Sequence, residues 1–311
     1  MHLRSLDDLK KEELKEIIDK AIEIKKNPEK YSEAMKNKTL MMLFEKPSLR
    51  TRISFETGMT KMGGHAIFYS IKDSPLGKKE SIEDTAKAAS RYVDIIMARL
   101  FKQEDLDALA EHSDVPVINA LTNKYHPCQI AADLQTIKEK KGKHKGIKLT
   151  YCGDSNNNVT HSLLIGCSMV GMDISVACPE GKEFMPQKDV LNLAKKNAKE
   201  TGSKIEILHD AKKAVENADV IYTDSWMSYH IPEDQKEDRI KIFMPFQVNE
   251  ELMSHAKPDA IFMNCLPAIR EMEQTAEVID GKQSIVFDQA ENRLWAQNAI
   301  MLNLMKKWEN K

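Results

Sequence analysis

Residues 44–58 read FEKPSLRTRISFETG. The apolar run that leads into them, Thr39 to Phe44, has the length of a buried strand. Pro47 and Ser48 break that run, and Phe55, Met59 and Met62 then recur at helical spacing. Ser48 is placed to cap the new helix, because its oxygen can accept one of the orphan N–H groups of the first turn. Arg50, Thr51 and Arg52 follow at once. Such a turn carries free backbone donors, two hydroxyls and two guanidinium groups. That combination suits a phosphate dianion, since a helix N-terminus favours negative charge and Arg offers paired donors to phosphate oxygens. Two arginines in a first turn are often only surface charge, but the strand before and the apolar stripe after favour the anion site.

Working outward, strand and helix alternate along the whole chain. Upstream, Leu6, Leu9, Leu14, Ile17, Ile18, Ala21 and Ile22 predict one helix over 6–26. Downstream, 65–70, 93–100 and 115–121 are strand candidates, with helices from Ser81 to about Tyr92, at DLDALAEH, and from Gln129 to Lys140. The Lys-rich KEKKGKHKG (138–146) is the clearest change of composition and is read as the domain boundary. Beyond it, strands are expected at 147–154, 174–179, 205–210, 220–226, 260–266 and 284–287. A long amphipathic helix, AENRLWAQNAIMLNLMKKW, follows from residue 290. This alternation predicts an α/β protein of two doubly wound parallel-sheet domains, with ligands at the carboxyl ends of the strands.

At 311 residues the chain exceeds the size of most single cores, which agrees with two domains. A net charge of -2 gives no electrostatic reason to expect a nucleic-acid partner, and no apolar run is long enough for a membrane helix. The opening MHLRSLDDLKKEEL is charged and amphipathic rather than signal-like. Five scattered Cys without a CxxC pair predict reduced thiols in a cytoplasmic setting and no structural zinc.

Polar or reactive residues sit at the predicted strand ends: SLRTR at 48–52, Arg99, HPCQ at 126–129, GDSNNN at 153–158, DSWMS at 224–228 and NCLP at 264–267. His126 is either a structural histidine or, with Gln129 one turn later, a donor to a carbonyl oxygen. Arg99 at the end of a buried strand needs a partner, which a ligand phosphate or a local carboxylate could supply. Cys265 is either an inert core thiol or one that orients an amine, and no adjacent His makes it a nucleophile. GDSNNN lacks GxGxxG and the Walker lysine, so nucleotide binding is rejected; its amides suit an α-carboxylate and α-amine. Asp224 could hold an ammonium group.

Taken together, these stretches resemble the aspartate/ornithine carbamoyltransferase superfamily, and the ornithine carbamoyltransferases most closely. FEKPSLRTRISFETGMTKMGGHAIF is similar to its carbamoyl-phosphate signature, usually S-T-R-T-R, and ARL (98–100), YHPCQ (125–129), DSWMS, NCLPA (264–268) and AENRLWAQ (290–297) to its other motifs. The resemblance implies attack of an amine, L-ornithine, on the carbonyl carbon of carbamoyl phosphate, giving L-citrulline and phosphate without metal or organic cofactor. It implies a carbamoyl-phosphate domain over 1–140, with the C-terminal helix 290–311 packing back on it, and an amino-acid domain over 141–289. Ser48, Leu49, Arg50, Thr51, Arg99, His126, Gln129, Cys265, Leu266 and Arg293 would hold carbamoyl phosphate. Arg50, Arg99, His126 and Cys265 would carry the catalysis, and Asn158, Asp224, Ser228 and Tyr229 the ornithine. It also implies a homotrimer or a multiple of trimers, in which a neighbour's loop completes each site.

Four departures bear on that expectation. Leu49 replaces the second residue of S-T-R-T-R and removes a hydroxyl, and Pro75 stands where the neighbour's loop often gives Gln. Asn264 replaces the His of His-Cys-Leu-Pro, and Tyr229 and His230 replace the Met-Gly of the ornithine loop. Lost donors to a charged ligand cost about 1.5–3 kcal/mol each. Two alternatives therefore stay open at this point. One is a different acceptor, putrescine, lysine or an N-acylornithine; the other is a catalytically weak paralogue serving as a binding or structural subunit.

Overall fold

A computed structural model describes residues 2–71, 80–227 and 231–310 of the chain. Pro75, Gly77, Ser228, Tyr229 and His230 lie outside those residues. The fold divides into two compact units, one formed by 1–135 with 291–311, the other by 136–290.

In the first unit, β1 (Thr39–Phe44), β2 (His65–Ser70), β3 (Ile95–Arg99) and β4 (Val117–Leu121) form a parallel sheet in the order β2-β1-β3-β4. The helices α1 (Lys11–Lys26), α2 (Leu49–Lys61), α3 (Ile82–Ala89) and α4 (Gln103–Glu111) connect or precede these strands. Strands β3 and β4 are buried throughout, as expected where helices cover both faces. The predicted helix over 6–26 is interrupted: a single 3-10 turn, Leu6–Asp8, is capped by Ser5, and α1 begins only at Lys11. Leu9 between them is extended and buried, so the apolar spacing continued across a break in the helix. Ser81 caps α3 as its sequence suggested, accepting from the Asp84 N–H at 3.0 Å.

α5 (Pro127–Lys141) carries the chain into the second unit, so the Lys-rich stretch starts as helix. There β5 (Lys148–Cys152), β6 (Asp173–Ala177), β7 (Ile205–Leu208), β8 (Val220–Thr223) and β9 (Ile261–Met263) form a parallel sheet ordered β7-β6-β5-β8-β9. Its helices are α6 (Asn158–Val170), α7 (Lys188–Thr201), α8 (Ala211–Val215), α9 (Lys236–Phe243), α10 (Glu250–Ser254) and α11 (Ala276–Ile279). α6 is buried along its whole length after Asn158, and its neighbour Gly171 ends it at a φ of +81°. One face of the sheet packs Ile221, Phe262, Val248, Phe246 and Val286 into a single apolar cluster.

The expected strand at 284–287 is absent. Ser284 makes one isolated bridge to Phe262, and Val286 already opens α12 (Val286–Glu309), which starts four residues earlier than the sequence suggested. Ser-Ile-Val-Phe has strand composition, but Phe262 and Gln283 offer only one ladder step before the helix takes over. α12 belongs to the first unit from Glu291 onward.

Both sheets reverse direction in strand order once, between β1 and β3 in the first and between β5 and β8 in the second. Ligands of open α/β sheets bind in the crevice at such a switch point, beyond the carboxyl ends of the strands. In the first unit those ends carry 45–51 and Arg99; in the second they carry 153–158 and Asp224.

Candidate active site

In the first unit the predicted residues gather on the β1-α2 turn. Ser48 caps α2, accepting from the Thr51 N–H at 3.3 Å and donating to Thr51 Oγ1 at 3.1 Å. Leu49 opens the helix and is 70% exposed. Arg50 is half-buried and its side chain makes no hydrogen bond or ion pair with another described residue, whereas Arg52 pairs with Glu56 and lies over the Phe68 ring at 3.9 Å. The two arginines of this turn therefore differ: Arg52 is committed to the surface, and Arg50 keeps its donors.

Parallel registry brings three more elements to the same sheet edge. Phe44 is opposite Arg99, and the Glu45 N–H donates to the Arg99 carbonyl at 2.9 Å. The β3-β4 registry slips between Ala98 and Arg99, the irregularity that re-aims a side chain at a strand end. Arg99 and His126 are both buried. Burial, and then the cations Arg293, Arg99 and Lys46, hold the His126 imidazole well below its usual range, so it stays neutral.

Arg293 joins this cluster from α12. Its guanidinium is buried and donates to Gln129 Oε1 at 2.7 Å and to Thr51 Oγ1 at 3.1 Å. Gln129 in turn donates to buried Asp133 at 2.8 Å, one helical turn on. Ser48, Thr51, Gln129 and Arg293 thus form one hydrogen-bonded group, with His126 and Arg99 beside it. Cys128, between two of these residues, is inert: its thiol is buried, donates to the Asn119 carbonyl at 3.4 Å and is pushed up to about 12 by burial.

Lys46 was missed by the sequence reasoning. It is 3% exposed, donates to Asn123 Oδ1 at 2.5 Å and lies 4.5 Å from the Phe101 ring centre. Burial and the nearby Arg99 push its amine down to about 8. Its place one residue before Pro47 was the available signal, since it leaves a buried strand together with the β1-α2 turn. Asp133 was missed because an acid inside a helix has no distinguishing spacing.

In the second unit the predicted residues leave the ends of β5, β8 and β9. Gly153 leaves β5 at a φ of +129°, and a Cβ there would come 3.1 Å from Trp226 Nε1, so only glycine fits. Asn157 caps α6 through the Thr160 N–H at 2.8 Å and donates to Tyr151 Oη at 2.9 Å and the Asp154 carbonyl at 2.6 Å. Those bonds occupy Asn157, and Asn158, the first helical residue, is the more exposed of the two. Asp154 pairs with Arg239 of α9, whose Nε donates to the Trp226 carbonyl at 2.7 Å. Glu273, fully buried, accepts from the Trp226 N–H at 3.3 Å. These ties fix the backbone just after Asp224.

Cys265 donates its thiol to Asp224 Oδ1 at 3.2 Å. Burial pushes the Asp224 carboxyl up to about 6, while the Ser225 N–H and that thiol pull it back. Leu266 sits at a φ of +57°, and its N–H donates to Asn264 Oδ1 at 2.8 Å. Asn264 is wholly buried and donates from Nδ2 to Gln274 at 3.1 Å. Asn264 thus shapes the Cys265–Leu266 turn from beneath. Among the described residues no group of three or more His, Cys, Asp and Glu is arranged to hold a metal. Likewise no helix among them is long and apolar enough to cross a membrane.

Two family descriptions match this chain. The carbamoyl-P binding domain of aspartate/ornithine carbamoyltransferase matches residues 1–139, and the Asp/Orn binding domain matches residues 145–304. The chain belongs to the aspartate/ornithine carbamoyltransferase family. It is 50% identical to the ornithine carbamoyltransferase of Bacillus subtilis over 308 residues, covering 99% of this chain and 95% of the relative. To that of Thermococcus kodakarensis it is 51% identical over 302 residues, covering 96% and 95%. Among solved structures, ornithine carbamoyltransferase from Pyrococcus furiosus superimposes with a TM-score of 0.93 at 49% identity, covering 98% of this chain and 97% of that one. Ornithine transcarbamoylase from Giardia lamblia gives 0.90 at 45%, with the same coverage.

Proposed function

We propose that this chain is an ornithine carbamoyltransferase. It moves the carbamoyl group of carbamoyl phosphate to the side-chain amine of L-ornithine and releases L-citrulline and phosphate. The observation that carries the reading is the connected group Ser48–Thr51–Arg293–Gln129 beside a neutral His126. It combines a helix N-terminus and guanidinium donors for a dianion with uncharged donors for a carbonyl.

In this reading the first turn of α2, Ser48, Leu49, Arg50 and Thr51, binds the phosphate, Leu49 through its backbone. Arg50 stabilises the charge that grows on the departing phosphate oxygens. Arg99 and His126 donate to the carbamoyl oxygen as the tetrahedral intermediate forms, and Arg293 fixes Gln129, whose amide keeps one more donor and one more acceptor for the carbamoyl group. Asp224 accepts from the ornithine side-chain amine, Cys265 and Leu266 lie at the acceptor end, and Asn158, Ser228 and Tyr229 meet the amino-acid end. The attacking nitrogen must be neutral, and a carboxyl that titrates at about 6 can accept its hydrogen bond at neutral pH without holding it as an ammonium too firmly.

The rival readings lose support. The weak-paralogue reading leaned on Leu49, Pro75 and Asn264: Asn264 is committed beneath the turn, the Leu49 side chain is exposed, and Pro75 lies outside the described residues. The test is carbamoyl-phosphate-dependent phosphate release with ornithine, putrescine, lysine, aspartate and N-acetylornithine in turn. Release with ornithine alone is expected; release with a different amine, or with none, overturns the reading.

The same reading includes a cytoplasmic homotrimer or a multiple of it. Its support is apolar surface around the phosphate turn: Leu49 and Ile53 on successive turns of α2, and Ile67 and Phe68 on edge strand β2, are all exposed. Sedimentation should give three chains or a multiple, and Ile53→Glu should shift it toward the single chain.

A further inference from the structure

Arg293 has a third attachment besides Gln129 and Thr51. The Gln297 amide, one helical turn along α12, has one orientation that satisfies both its ends. In it, Gln297 Oε1 accepts from Arg293 Nε and Nη2, each at 3.1 Å, and Nε2 donates to Ser54 Oγ at 2.7 Å and to the Arg293 carbonyl at 3.2 Å. Ser54 passes the chain on, donating to the Thr51 carbonyl at 3.2 Å. The circuit then closes through Thr51 Oγ1, which accepts from Arg293 Nη2.

All four side chains of this ring are buried. Two helices meet along it: Thr51 and Ser54 on α2, Arg293 and Gln297 on α12. One turn further on, a methyl group at Gly58 would run into the Asn298 side chain, so a glycine at 58 is what lets α12 lie this close. The acceptor on Arg293 Nε is an amide, which can hold a guanidinium in one plane without cancelling its charge. A glutamate at 297 would hold the same group and neutralise it.

We infer that Gln297 and Ser54 are positioning residues: they lock the plane of Arg293 against the first turn of α2 and thereby set the affinity for carbamoyl phosphate. This rests on the reading of the first unit as the carbamoyl-phosphate half. Neither residue touches the reacting atoms; both act through Arg293.

The test uses the full-length protein with Gln297→Met, which conserves volume, with Ser54→Ala, and with the pair combined. Each single variant should raise the KM for carbamoyl phosphate by about ten- to a hundred-fold, the range for hydrogen bonds to a charged group. The KM for ornithine should stay within about two-fold. Because both act along one path, the combined variant should be no worse than the poorer single one, the non-additivity expected of coupled residues. Gln297→Glu should also raise the carbamoyl-phosphate KM, since it keeps the placement and removes the field. An unchanged carbamoyl-phosphate KM in Gln297→Met or Ser54→Ala overturns the proposal, as does an equal rise in both KM values or strict additivity. A wild-type protein that never responds to carbamoyl phosphate removes the parent reading and this one together. Normal wild-type turnover with an indifferent Gln297→Met removes only this one.

Discussion

The Cys265 thiol donates to Asp224 Oδ1 at 3.2 Å, and this single bond joins the ends of two parallel strands, β8 and β9. It supports the reading of Cys265 as a thiol that orients rather than attacks. A thiol that donates to a carboxylate is protonated and is therefore no nucleophile; under the proposed function it would orient the acid that meets the amine. Cys265→Ala should then keep turnover within about ten- to thirty-fold of wild type, the effect of one lost hydrogen bond. It should raise the ornithine KM more than that for carbamoyl phosphate. Abolished turnover, or a covalent carbamoyl-enzyme trapped in wild type, would sink this assignment.

Asp224 itself links activity to stability. Its folded carboxyl titrates at about 6 and its ordinary value is 3.8, so the folded state holds the proton more tightly than the unfolded chain. The contribution is fully present below 3.8 and is lost as pH rises through about 6. A rise from 3.8 to about 6 corresponds to at most about 3 kcal/mol, reduced because the side chain is half-buried. Asp224→Asn should match wild type in chemical denaturation near pH 4 and be the more stable protein near pH 8, while its ornithine kcat/KM falls about a hundred-fold or more. A stability difference independent of pH would contradict the burial argument.

Under the proposed function Lys46 gives a second pH dependence, in the binding of carbamoyl phosphate. In the free protein its amine is held at about 8, so above that pH the anion turn loses a positive charge. A bound dianion favours the charged amine, and binding therefore weakens as pH rises from about 8, by up to about ten-fold per pH unit. Calorimetry with a non-hydrolysable phosphonate analogue of carbamoyl phosphate should show that loss in wild type. Lys46→Met should bind weakly already at about pH 7 and show a flat profile from there to about 9.5. A sloping profile in the variant would assign the titration elsewhere.

Much of this site was legible because parallel sheets put their ligands at strand ends. Ser48, Arg50, Thr51, Arg99 and His126 each lie at or just beyond the end of an apolar run, and the run itself marks them. What was not legible is what lies inside helices. Asp133, Ser54 and Gln297 sit among apolar neighbours with no turn to announce them. The roles of Ser54 and Gln297 come from a helix far along the chain meeting α2, as the Arg293–Thr51 bond does across 242 positions. Residues 284–287 misled for a related reason: strand composition is shared by the first turn of a helix, and only tertiary pairing chooses between them.

Arg50 and Arg52 should separate sharply. Arg52 is exposed, paired with Glu56 and stacked on Phe68, whereas the Arg50 side chain makes no bond with a described residue. Arg50→Ala should lower kcat by about 100- to 1000-fold or more, the loss seen when a donor to developing charge is removed, with the assembly unchanged by sedimentation. Arg52→Ala should leave kcat within about three-fold, since exposed pairs contribute little. Equal losses in the two variants would point to a general field effect rather than a contact.

Asn264 is the departure whose own hydrogen bonds give it a structural role. Its Oδ1 receives the Leu266 N–H, its Nδ2 donates to Gln274, and its backbone N–H donates to Gln289 Oε1 at 3.0 Å, and the Asn264 side chain is itself wholly buried. Removing the side chain strands the buried Gln274 oxygen and the part-buried Leu266 N–H, groups that cost about 1–3 kcal/mol each when buried and left unmet, with the Leu266 N–H toward the lower end. Asn264→Ala should therefore lose about 2–5 kcal/mol of unfolding free energy in urea. Asn264→His should also destabilise, because an imidazole is larger than the amide in a site with no exposed surface. In whichever fraction stays folded, the carbamoyl-phosphate KM should move less than the stability does. A stable Asn264→Ala protein with a carbamoyl-phosphate KM raised about a hundred-fold would return Asn264 to the ligand and revive the doubt about turnover.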